Sequence, residues 1–154
     1  MKVLVVAGVS GGHIFPAVSF ISALKEKHKE IATLLVLPVR SLKFGILLTD
    51  HKTRYISTST ISLSINSSNL IALAMFLKGA WESLRIILEF KPDIVVGFGG
   101  LDCLPCLFFA WFFRIKTLIH EQNVLPGRAN KLLAKFVDQV ALSFAETKKY
   151  LNLI

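Results

Sequence analysis

The chain opens on Lys2–Ala7, a continuous apolar and β-branched run that passes straight into Gly8-Val9-Ser10-Gly11-Gly12-His13. A strand with no polar side offers nothing to water, so it belongs in a sheet covered on both faces. A glycine-rich turn directly after it lets backbone amides approach whatever lies beyond the strand end. The arrangement recurs. Ala32–Leu37, closed by Pro38, and Asp93–Phe98, running into Gly99-Gly100, read as buried strands. Thr117–His120 and Gln139–Phe144 are shorter ones, and Arg54–Ser59 is a weaker candidate before a Ser/Asn-rich loop through Ser68. Between them lie helical segments: Ile14–Lys29, with Ile14, Ala17, Val18, Ile21 and Leu24 on one face and Pro16 in the first turn, then Leu70–Phe90, Leu104–Phe113 and Arg128–Lys135. Apolar strands alternating with helices predict an α/β fold, a Rossmann-like parallel sheet with helices on both faces.

In such a sheet ligands bind beyond the carboxyl ends of the strands. Chemistry is therefore expected in three turns: Gly8–His13, Gly97–Pro105 and His120–Gly127. The first is not a Walker loop, because no Gly-Lys-Ser/Thr follows, and Ser10 breaks the G-x-G-x-x-G pattern. What remains is a helix start offering unpaired amides and a positive dipole end to an anion. His13 lies at that helix start, where the dipole disfavours the imidazolium and leaves a neutral base poised in a cleft. Gly97-Phe98-Gly99-Gly100 supplies a second backbone wall. His120-Glu121-Gln122-Asn123 is a run of polar groups that needs bonding partners so close to the sheet. It contains no HExxH, so zinc-protease chemistry is unsupported. Cys103-Leu104-Pro105-Cys106 reads as two reduced, packed thiols rather than a redox or metal site.

Hydrophobic residues make up 53% of the 154 residues and charged ones 18%, which excludes disorder. A mean hydropathy of +0.60 then calls for a membrane span or an apolar surface. A span needs about 20 apolar residues; Leu70–Leu77 and Cys103–Phe113 are too short, and Lys78, Glu82, Arg85 and Glu89 interrupt the longer stretch. No transmembrane helix and no signal peptide are expected, which places the chain in the cytoplasm. The aromatic group Phe108, Phe109, Trp111, Phe112 and Phe113 is expected mainly in the core. Any exposed part, with Arg114 and Lys116 or with Leu70–Leu77 and Lys78, would suit a membrane surface. The net charge of +8 favours anionic partners. No nucleic-acid motif accompanies it, so no nucleic-acid partner is expected.

Taken together, Ala7–Pro16, Lys91–Gly100, His120–Asn123 and Pro126–Ala134 resemble the N-terminal domain of MurG-type glycosyltransferases, as do Asp138–Phe144 and Glu146–Tyr150. The resemblance implies the N-terminal, acceptor-side half of a GT-B enzyme across residues 1–154, with the C-terminal donor-nucleotide domain absent from this sequence. It implies inverting transfer of N-acetylglucosamine from UDP-N-acetylglucosamine to undecaprenyl-pyrophosphoryl-MurNAc-pentapeptide (lipid I). The product is lipid II for peptidoglycan. No cofactor and no catalytic metal are implied, and the enzyme would work peripherally on the anionic cytoplasmic face of the inner membrane. By motif position Ser10, Gly11, Gly12 and Asn123 would contact the donor and Gly99 and Gly100 would line the substrate site. His13 would be the catalytic base, with Glu121 a supporting catalytic group.

Two departures from the family pattern stand out. Gly-Gly-Thr-Gly-Gly-His becomes Gly8-Val9-Ser10-Gly11-Gly12-His13, and a positive φ at Val9 would be costly enough to alter the turn. Tyr-Val-Ser-Gly-Pro becomes Leu101-Asp102-Cys103-Leu104-Pro105, losing an aromatic hydroxyl, a serine and a glycine. Without a donor domain the chain is expected to be inactive alone. The alternatives are a membrane-associated anchoring subunit that pairs with a separate donor-domain chain, and a stand-alone Rossmann-like protein using its two cysteines.

Overall fold

The computed structural model describes residues 1–42, 50–58 and 67–151, with side chains from residue 72 onward in the last segment. The Ser/Asn-rich loop expected after Arg54–Ser59 falls largely on residues 59–66, outside the described residues, as do the side chains of Leu70 and Ile71. The elements are β1 (Lys2–Val6), α1 (Gly11–Lys27), β2 (Ala32–Pro38), β3 (Thr53–Ile56), α2 (Ser67–Phe90), β4 (Ile94–Gly97), α3 (Leu104–Phe112), β5 (Lys116–Glu121), α4 (Arg128–Leu133), β6 (Gln139–Leu142) and α5 (Lys148–Leu151). All paired strands are parallel and form one 6-stranded sheet in the order β3-β2-β1-β4-β5-β6.

The two-residue period of a strand divides β1 between two cores. Leu4 and Val6 pack with Leu34, Val36 and Val95 beneath α2 and α3, while Val3 and Val5 pack with Leu35, Leu37 and Val96 beneath α1. Ile14, Ala17 and Ile21 of α1 are buried there, so that helical face was read correctly. Its start was not. Ser10 takes an extended N-cap conformation (φ −82°, ψ 151°), and α1 begins at Gly11, three residues before the expected Ile14. Pro16 consequently sits in the second turn, where its ring removes the amide that would bond the Gly12 carbonyl.

The outer surface departs further from expectation. Phe108, Trp111, Phe112 and Phe113 are 46%, 50%, 63% and 42% exposed, so most of the aromatic group lies outside the core. On α2, Leu73, Leu77 and Trp81 are exposed while Ile86 and Ile87 are buried. That helix is apolar toward the sheet and sets exposed apolar side chains beside the exposed Lys78 and Arg85 on its solvent side. Among the described residues, no helix is long and apolar enough to cross a membrane.

Candidate functional site

The strand order reverses direction between β1 and β4, the switch point at which open α/β sheets hold ligands. The two glycine turns leave these neighbouring strands. They touch: the Gly8 amide donates to the Gly99 carbonyl at 3.0 Å, and the Cys103 thiol donates to the same oxygen at 3.0 Å. A Cβ on Gly8 would lie 3.0 Å from that oxygen and 3.1 Å from the Gly100 Cα. Gly99 and Gly100 both hold positive φ, +83° and +87°. Val9 does not. Among the described residues the only non-glycine positive φ values belong to Lys91 and Arg114, so the expected distortion at Val9 is not found.

His13 is wedged against this junction. Its Nδ1 would stand 2.9 Å from a Gly8 Cβ, and its Nε2 3.0 Å from a Gly99 Cβ. Only glycine at both places leaves room for the ring. Ser10 Oγ lies 2.9 Å from His13 Nδ1. The imidazole pKa is lowered from its ordinary value, as expected, but mainly by burial; Glu121 and Asp102 pull it partly back up. Gly11 and Gly12 occupy the first turn of α1, where amides have no acceptor within the helix.

Glu121 ends β5 and is 1% exposed. Its carboxylate accepts from the Asn123 amide (2.9 Å) and side chain (3.1 Å), the Gly127 amide (3.1 Å) and Asn130 Nδ2 (2.8 Å). Those four donors close the loop 122–127 onto the strand. Glu121, expected as a supporting catalytic group, has both carboxylate oxygens engaged in holding this loop. Asn123 is exposed at the rim, and its carbonyl accepts from the Thr147 hydroxyl at 3.0 Å. His120 is held by Phe98, with ring centroids 5.3 Å apart, and lies 3.2 Å from the Ser143 hydroxyl.

Two participants were not singled out from the sequence. Asn130, 2% exposed, bridges Glu121 and the His120 carbonyl, and its Nδ2 stands 3.5 Å from a Gly99 Cβ position. Asp102 forms a salt bridge with Arg40 at 2.9 Å and accepts from the Thr58 hydroxyl. A lone acid directly after a glycine turn, amid apolar residues, was the available signal for Asp102. Arg40 and Thr58 carry none, because they reach the site only through the sheet order. Cys103 and Cys106 are buried free thiols with raised pKa values, Cys106 to about 11 through burial. That is the packed, reduced state expected. No cluster of metal-ligating side chains occurs among the described residues.

Away from the edge, α2, α3 and α4 enclose an open groove of about 400 Å³ walled by Phe76, Ala80, Leu104, Phe108, Leu132 and Phe136 among others, all apolar.

Fold and edge together define a Rossmann-like domain whose switch point is walled by two glycine turns. Residues 3–142 match the glycosyltransferase family 28 N-terminal domain, and the chain belongs to that family. The chain is 40% identical over 151 residues to the UDP-N-acetylglucosamine--N-acetylmuramyl-(pentapeptide) pyrophosphoryl-undecaprenol N-acetylglucosamine transferase of Alkaliphilus oremlandii, covering 97% of this chain and 41% of the relative. The enzyme of the same name from Listeria monocytogenes is 37% identical over 147 residues, covering 95% and 40%. The crystal structure of Acinetobacter baumannii MurG superposes with a TM-score of 0.76 at 24% identity, covering 94% of this chain and 42% of that one. The UDP-GlcNAc 2-epimerase of Neisseria meningitidis shares the fold, with a TM-score of 0.69 at 17% identity and coverage of 98% and 43%. The chain thus spans about two-fifths of the length of the curated relatives it matches.

Proposed function

We propose that this chain is the acceptor-side domain of an inverting glycosyltransferase that moves N-acetylglucosamine from UDP-N-acetylglucosamine to lipid I, making lipid II for peptidoglycan. The observation that carries the reading is the His13 imidazole, its pKa lowered mainly by burial, seated where the two glycine turns meet. A neutral imidazole there can take the proton of an acceptor hydroxyl as that oxygen attacks the sugar carbon and UDP leaves. The amides of Gly11 and Gly12, the Ser10 hydroxyl and the backbone of Gly99 and Gly100 line the space into which the anionic substrates fit. Asn123 stands at its rim, and Glu121 acts by holding Asn123 and Asn130 in place. No step calls on a metal or cofactor. A donor-nucleotide domain opposite this one completes the cleft, and residues 1–154 alone turn over little.

The exposed aromatic face of α3, continued by Leu77 and Trp81 of α2, supports docking on an anionic membrane at its cytoplasmic surface, where the lipid-borne acceptor resides. Neighbouring Lys78 and Arg114 would meet lipid phosphates. The same face favours the second reading, an anchoring subunit of a split enzyme. Radiolabelled transfer from UDP-N-acetylglucosamine to a lipid I analogue tests both. Turnover is expected when a relative's donor domain is fused to the chain, and His13→Ala lowers it by about 100-fold or more. Activity restored by a separate donor-domain chain favours the split enzyme. Robust turnover by this chain alone rejects the two-domain reading, and undiminished turnover by His13→Ala rejects the base.

A further inference from the structure

The chemistry above leaves Asp102 unused. It is 8% exposed, in the 3₁₀ turn Leu101–Cys103 directly after Gly100. A carboxylate buried this far is costly unless it is matched. Its Oδ1 accepts from Arg40, which follows β2, and from Thr58, which follows β3. A single oxygen therefore ties together the loops after three strands. The Thr58 side is held from behind by α2. Glu82 accepts from the Ser57 amide, and a Cβ on Gly79 would fall 2.1 Å from the Ser57 carbonyl oxygen, so helix backbone lies directly on that loop.

On its other side Asp102 faces the glycine junction. Its Oδ2 lies 3.7 Å from a Gly100 Cβ position, and that same position is 2.9 Å from the Gly8 Cα. Gly8 is the residue against which His13 Nδ1 rests. Contact is continuous from α2 through Ser57–Thr58 and Asp102 to Gly100, Gly8 and the imidazole.

We propose that Asp102 is a positioning residue: clamped by Arg40 and Thr58, it fixes Gly99-Gly100 against Gly8 and so sets where the His13 ring stands. The proposal rests on the reading of this edge as a glycosyl-transfer site. Three groups bear on the ring: Asp102 after β4, Glu121 on β5 and Ser10 at the start of α1. Asp102 favours the imidazolium.

The experiment uses the full chain without substrates, following His13 by carbon-resolved NMR titration and the Gly8 amide by hydrogen exchange. Asp102→Asn keeps the shape and removes the charge. The His13 midpoint is expected to move to lower pH, and Gly8 exchange to quicken at least about tenfold as its bond to Gly99 loosens. Arg40→Gln, which leaves the Asp102 charge unpaired, moves the midpoint the opposite way. A role confined to packing lowers the melting temperature in both variants and leaves Gly8 protection unchanged. Unchanged Gly8 protection in folded Asp102→Asn overturns the proposal, whatever the midpoint does. Should that variant fail to fold, Thr58→Val keeps the charge and removes one clamp; unaltered Gly8 exchange there overturns it equally. Neither readout involves donor or acceptor, so its failure is distinct from that of the transferase reading, which is judged on turnover by His13→Ala.

Discussion

Replacing Gly100 by alanine probes the junction on which the site depends. Gly100 holds φ 87° and ψ 146°, a region that L side chains scarcely enter. Forcing alanine into it costs about 1–3 kcal/mol. The new methyl would also stand 2.9 Å from the Gly8 Cα, which belongs to backbone and cannot rotate away. Relief requires the two turns to part, weakening the Gly8–Gly99 bond, and overpacking of this kind costs about 1–3 kcal/mol. Allowing for relaxation, a total near 3 kcal/mol is expected, or a fall in melting temperature of roughly 6–12 °C for a chain of this size. Urea unfolding monitored by tryptophan fluorescence measures it. Gly127→Ala is the control, because Gly127 has an ordinary φ of −64° and nothing within 4 Å of its Cβ position; it should cost less than about 1 kcal/mol, the scale of a helix cap. Equal midpoints for the two variants would refute the reasoning, since the positive φ and the contact would then carry no energy.

Other perturbations give separate signatures. Burial lowers the His13 pKa, so the unfolded chain takes up the proton first; stability present above about pH 6.5 is lost as pH falls through the lower folded value. Urea midpoints should therefore decline on acidification through that window, and His13→Gln should flatten part of the decline, His51 and His120 sharing the same direction. Glu121→Gln turns an acceptor oxygen into a donor facing donors and should cost about 2–4 kcal/mol, with faster amide exchange over residues 122–127. Cys103 and Cys106 should be silent to a disulfide reagent in the native chain at pH 8 and both titrate after unfolding, as buried thiols with raised pKa values require.

What was legible in the sequence follows from the range of the forces involved. Each strand announces itself locally, because a run such as Lys2–Ala7 must be covered on both faces whatever its neighbours, and the turns at the strand ends are local too. Gly8–His13, Gly97–Pro105 and His120–Gly127 are accordingly legible as lying at one edge of the sheet. The start of α1 differs because glycines are poor helix formers by propensity, whereas here the Ser10 carbonyl accepts from the His13 and Ile14 amides and Ile14 and Ala17 pack in the core. Phe108, Trp111 and Phe112 are expected in the core because an aromatic run usually belongs there; they are exposed because α3 turns its Cys106, Leu107 and Ala110 face inward instead. The pairing of Asp102 with Arg40 and Thr58 spans 62 and 44 residues of sequence. It exists only because β2 and β3 lie on the same side of β1.

Ser10 is where local structure and proposed chemistry meet most closely. A serine at a helix N-cap ordinarily turns its hydroxyl onto a first-turn amide, yet here Ser10 makes no side-chain cap bond and its Oγ faces His13 Nδ1 at 2.9 Å. For Nε2 to accept a proton from an acceptor hydroxyl, the ring hydrogen must sit on Nδ1, and Ser10 must accept that bond. In the proposed chemistry the Ser10 hydroxyl accepts from Nδ1–H and so orients the ring. Ser10→Ala should then separate stability from chemistry. With no cap bond to lose, unfolding shifts by less than about 1 kcal/mol, while nitrogen chemical shifts of His13 report a smaller population protonated at Nδ1. In a two-domain enzyme kcat should fall with little change in KM, and Ser10→Thr should restore it. An unaltered tautomer ratio in Ser10→Ala would show that the serine merely neighbours the ring.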